Sequence, residues 1–107
     1  MKEKYITVVG MKNYYGLAPF KIGKTIKCEK EPENPCDSEA IRVKLKKVGT
    51  IAYVADSPYT VATGTMGAGR IYEKVGKKFK AEVMFIIASQ VICRVVEEEE
   101  LEVEKKT

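Results

Sequence analysis

The sequence contains no histidine and no tryptophan. Without an imidazole, the commonest general base and metal ligand is missing. Ser57, Ser89 and the thiols therefore have no partner of the usual kind to activate them as nucleophiles. Cysteine is sparse: Cys28, Cys36 and Cys93 form no CxxC pair, and an odd count leaves at least one thiol unpaired. Scattered thiols without imidazole do not make a zinc site, so neither metal nor cofactor is expected. Reduced cytoplasmic thiols are the simplest reading. Long hydrophobic runs are also missing. The N-terminal MKEKYITVVG is too short in its apolar part for a signal-peptide core or a membrane span. The expectation is a soluble, cytoplasmic protein with no membrane partner. No phosphate-loop motif is present. GTMGAG lacks a following Gly-Lys-Ser/Thr, and Tyr72 stands where a dinucleotide fingerprint needs its third glycine. These absences point to a protein that is not an enzyme.

What is present is a chain of 107 residues, suited to one domain with its own core. The net charge is +4, unevenly spread. The last eleven residues, EEEELEVEKKT, carry six acids and two lysines, leaving 17 basic and 9 acidic residues, net +8, over Met1 to Val96. The division is a domain over 1–96 and an acidic tail over 97–107. A basic body favours a polyanionic partner, although a solvated lysine-rich surface would look the same.

Strand patterns dominate. KYITVVG is β-branched and KTIKCEK alternates. In AIRVKLK, Ile41, Val43 and Leu45 share one face and Arg42, Lys44 and Lys46 the other. Its short link to VGTIAYV predicts an antiparallel hairpin. KFKAEVMFIIAS and QVICRVV predict a second, turning near Ser89-Gln90. Between the hairpins, Ser57 as N-cap and Pro58 at the first helical position predict helix from Ser57 to Val75. Gly64, Gly67 and Gly69 would break it, and Gly76 would end it. The fold class is thus mainly β: a small barrel of five or six strands with an inserted short helical segment.

Two stretches invite functional reading. In EPENPCDSEAIRV, Pro32 and Pro35 stiffen the chain, and Asn34 and Asp37 can accept from nearby backbone N–H groups as Asx turns. That alone explains a rigid corner without any function. Its carboxylates (Glu29, Glu31, Glu33, Asp37, Glu39) lack the spacing and mid-loop glycine of a calcium loop. In MKNYYGLAPFK, Lys12, Asn13, Tyr14, Tyr15, Phe20 and Lys21 interleave cations with rings, as single-strand binders do. Among nine aromatics some must build the core, so one or two of Tyr14, Tyr15 and Phe20 are expected outside. Arg70, just after the glycines, is a further candidate for a phosphate contact.

In order along the chain, VVGMKNYYG, EPENPCDSEAIRV and VGTIAYV resemble the HIRAN domain family. The family pattern is an early Val-Gly followed by aromatics, then an acidic-Pro-x-Asn-Pro-aromatic-Asp-x-x-Ala-Ile-x-Val block, then a glycine-containing strand. The resemblance spans Ile6 to Val54 by motif. It implies an OB-like or SH3-like barrel that binds single-stranded DNA at a free 3′-hydroxyl. A basic–aromatic pair would pack on the terminal nucleotides. The aromatic-Asp pair of the Asn-Pro block would stack on the last base and bond the hydroxyl. Carried over, Lys12 is the basic residue and Asp37 the hydroxyl acceptor. Asn13 stands in place of an aromatic, with Tyr14 and Tyr15 beside it. Cys36 replaces the stacking ring, and a thiol offers no stacking face. The resemblance therefore implies weak affinity for DNA ends, with a protein-interaction barrel as the alternative.

Overall fold

The structure is a computed structural model that describes residues 3–97. Six strands run β1 Tyr5–Val9, β2 Thr25–Glu31, β3 Ala40–Leu45, β4 Gly49–Val54, β5 Lys78–Ile87 and β6 Gln90–Glu97. They close into a barrel in the order β1-β4-β3-β2-β5-β6, every neighbour antiparallel. The two sequence-predicted hairpins are β3–β4 and β5–β6. Lys47 (φ 73°) and Gly49 (φ 100°) form the first turn, and Ala88 (φ 51°) begins the second. The acidic tail expected over 97–107 lies, beyond Glu97, outside the described residues.

Alternation builds the interior. Ile6 and Val8, Ile26 and Cys28, Ile41 and Val43, Phe79, Ala81 and Val83, and Val91 and Cys93 all point inward and are buried. Burial pushes the Cys28 thiol far up in pKa and the Cys93 thiol to about 12, so both are held neutral. Filled in this way, the barrel has a packed centre.

The segment between β4 and β5 is less helical than its sequence predicts. Ser57 does cap a turn: its Oγ accepts from the Tyr59 N–H at 3.1 Å, and its carbonyl accepts from Thr60 and Val61. The turn does not propagate. Thr7 points out of the barrel but is completely covered, because the segment lies across it. Its hydroxyl accepts from the Ala62 N–H at 3.1 Å and lies 2.7 Å from Thr65 Oγ1. Met66 then donates to the Tyr5 carbonyl. These bonds to β1 hold residues 62–66 in a non-helical path, with Gly64 at φ 93° making the reversal. Helix proper is one turn, α1 Ala68–Ile71, followed by a 3-10 turn over Tyr72–Lys74.

Candidate nucleic-acid interface

The link between β2 and β3 is a corner tied by its own side chains. Asn34 Oδ1 accepts from the Cys36 N–H at 2.8 Å and the Asp37 N–H at 3.1 Å. Asp37 Oδ1 accepts from the Glu39 N–H at 2.9 Å, and the Asp37 carbonyl from Ala40 at 3.1 Å. Two consecutive Asx turns thus fix the backbone of residues 34–40 and leave the Asp37 carboxylate and the Cys36 thiol exposed.

The corner is fastened to the barrel through Glu31. Its Oε1 accepts from Asn34 Nδ2 at 3.0 Å and from the Tyr53 hydroxyl at 2.9 Å. Burial, reinforced by this bond to a carboxylate, pushes the Tyr53 phenol up to about 12. The Tyr53 ring in turn meets Tyr14, with centroids 6.5 Å apart and planes inclined by 48°. An open cleft of about 500 Å³ lies between the corner, Tyr53, Lys30 and Lys77.

Tyr14 follows a 3-10 turn over Met11–Asn13, which Gly10 enters at φ 83°. Met11 is buried, whereas Lys12 and Asn13 are exposed. Tyr14 is 41% and Tyr15 57% exposed, while Phe20 is only 3% exposed and belongs to the core. The structure therefore brings Tyr14, by way of Tyr53 and Glu31, to the corner that carries Cys36 and Asp37. Lys12, Asn13 and Tyr15 sit on the same turn as Tyr14, at its solvent side.

Arg70 is exposed on α1. Residues 68–70 are not a phosphate cradle, because their N–H groups are taken. Ala68 donates to the Ala55 carbonyl, Gly69 to Asp56 Oδ1 at 2.9 Å, and Arg70 to the Gly67 carbonyl. Two carboxylates of the chain itself crowd Gly69: a methyl group there would stand 2.9 Å from Glu39 Oε1 and 3.5 Å from Asp56 Oδ1. Glycine is needed here for close approach. No group of three or more His, Cys, Asp or Glu among the described residues is arranged to hold a metal ion.

A family model of the HIRAN domain matches residues 1–58, just over half of the chain. The chain belongs to the HIRAN domain family. HIRAN domains are DNA-binding modules. Two crystal structures are similar in fold. A protein from Lactobacillus plantarum is 16% identical, with 86% of this chain and 88% of that one covered and a TM-score of 0.59. The HIRAN domain of human HLTF is 17% identical, with 95% and 81% covered and a TM-score of 0.57. No protein of curated function matches. At these identities the two structures speak for the barrel alone. No helix among the described residues is long and apolar enough to cross a membrane.

Sequence reasoning passed over Tyr53, and weighed Glu31 only as one of five carboxylates lacking calcium-loop spacing. Both lie inside the HIRAN motif region, and a single tyrosine among the small and aliphatic residues of GTIAYV was the available signal. What was not readable was the partnership between them, which depends on β4–β3–β2 register: Tyr53 faces Arg42, and Arg42 faces Glu29.

Proposed function

We propose that this HIRAN domain is a non-catalytic, cytoplasmic nucleic-acid-binding module that takes single-stranded DNA at a 3′-hydroxyl end, with weak affinity. The observation that carries this reading is the Asp37 carboxylate. It is exposed, held in place by two Asx turns, and stands on a corner that Glu31 and Tyr53 link to the Tyr14 ring. A carboxylate near phosphates is repulsive unless it accepts a hydrogen bond. A terminal sugar hydroxyl can supply one. Tyr14 and Tyr15 offer faces for bases, Lys12 and Arg70 offer charge for phosphates, and Asn13 offers an amide for either. Cys36 contributes no stacking face, and this is the physical reason for low affinity.

The test compares labelled single strands ending in a 3′-hydroxyl or a 3′-phosphate. The wild type should prefer the hydroxyl, and Asp37→Ala should lose that preference. Cys36→Tyr should tighten binding by stacking worth on the order of 1–3 kcal/mol. No binding at low salt by wild type and Cys36→Tyr alike would sink this reading.

A second reading, a protein-interaction barrel, draws on exposed Ile22, Phe85 and Ile87. Gly23 donates to the Val83 carbonyl, which brings the Ile22 segment beside β5. Loss of binding to a co-purifying protein on Phe85→Ser would favour it.

A further inference from the structure

The outer face of β2 and β3 changes character along its length. At the corner end, Glu31 Oε1 accepts from Tyr53 and Asn34, and its Oε2 lies 3.7 Å from Arg42 Nε. One pair further on, Glu29 accepts from Arg42 at 3.0 Å and meets Lys44 at 2.7 Å. Beyond that, every charged residue of the two strands is basic. Lys27 stands in register with Lys44 on one side and Lys80 on the other. Lys46 and Lys47 follow in the β3–β4 turn. A shallow cleft of about 500 Å³ here is lined by Lys27, Arg42, Lys44, Lys46 and Lys47, and by no carboxylate. Among the described residues, Lys27, Lys46 and Lys47 make no ion pair.

Charges of one sign gathered on one face repel one another, and a polyanion relieves that repulsion. Glu29 is shared between Arg42 and Lys44, so its single charge leaves one of those two cations and all of Lys27, Lys46 and Lys47 uncompensated. We infer that this lysine face, Lys27, Lys44, Lys46 and Lys47, is a second contact surface that holds the phosphate backbone of a nucleic-acid strand whose end lies at the Asp37 corner. The inference rests on the proposed function for the strand's polarity, and on the lysine face alone for the contact. Lys27 lies four residues from Glu31 along β2, ~13 Å at ~3.3 Å per residue. At the ~3.4 Å per nucleotide of a stacked, duplex-like strand, that is a run of about four nucleotides. A strand seated at the corner would reach the lysines only if it is longer than this.

The experiment uses the full chain and two labelled deoxythymidine strands, of about 4 nucleotides and about 16 nucleotides, titrated at several salt concentrations. The variant is Lys27→Gln with Lys46→Gln and Lys47→Asn; asparagine tolerates the positive φ of position 47. Lys44 is left alone because its loss would unmask Glu29. On the long strand the variant should flatten the plot of log affinity against log salt by about 2, from ~0.7 per lost phosphate contact. On the short strand it should bind as the wild type does, and its preference for a 3′-hydroxyl should be retained. Equal salt slopes for variant and wild type on the long strand would overturn the inference. So would polyglutamate competing as well as the long strand, which would assign the face to an acidic protein. A flattened slope without any 3′-hydroxyl preference in the wild type would leave the lysine surface standing and remove the end-binding reading.

Discussion

The corner and the lysine turn sit at opposite ends of the same two strands, and they use polar residues in opposite ways. At the corner the side chains are tied: Asn34 to two backbone N–H groups, Asp37 to one, Glu31 to a phenol and an amide. At the β3–β4 turn, Lys46 and Lys47 are exposed, with no ion pair among the described residues. One end specifies a position to within a hydrogen bond; the other supplies charge whose placement need not be tight. On the proposed function, shape recognition and charge recognition would be separable on one face. The corner should respond to the loss of single atoms, and the turn to ionic strength.

The largest effect should come from Asn34→Ala. It strips two N–H groups of their acceptor and Glu31 of a donor, and should cost about 1–3 kcal/mol in urea unfolding. If the corner is as rigid as its bonds imply, 3′-hydroxyl preference should vanish with it. A cost near zero would show that the prolines alone hold the turn.

The middle of the face should behave as a graded case. Hydrogen bonds from Lys44 and then Arg42 hold the Glu29 carboxyl at about 2, below its ordinary 4.5. A depressed carboxylate pKa means stability that is fully present above about pH 4.5 and is lost as pH falls towards 2. Because the group is near solvent, the loss should be of order 1 kcal/mol. Glu29→Gln should flatten the acid limb of stability against pH, and an unchanged limb would refute the assignment.

Smallest of all should be the effect of Lys46→Gln with Lys47→Asn on stability. It should stay within about 0.5 kcal/mol of wild type by thermal unfolding, since both side chains are exposed. A larger loss would mean that the turn is a structural element and not a reservoir of charge.

The same contrast explains what could be read from the sequence. The Asx turns at Asn34 and Asp37 are local, spanning three or four residues, so side-chain chemistry and proline placement made them legible. The alternation in AIRVKLK showed which cations face outward. The bond from Tyr53 to Glu31 joins strands β4 and β2 across β3, and no local pattern encodes it. Nor did the sequence show that Thr7 would hold residues 62–66 out of a helix, or that Glu39 and Asp56 would converge on Gly69. In each case a residue far along the chain decided against the local preference. KTIKCEK alternates, but the neighbourhood of Lys27 with Lys44 and Lys80 exists only once register is set.

The strand order also governs how the molecule comes together. Tyr5 pairs with Arg94, and Val8 with both Val54 and Val91, so β1 is seated by partners from the middle and the far end of the described chain. Such long-range pairing carries a loop-closure cost before it brings any reward, which places folding in milliseconds to seconds, not microseconds. Until β1 docks, β4 and β6 each present an unsatisfied edge.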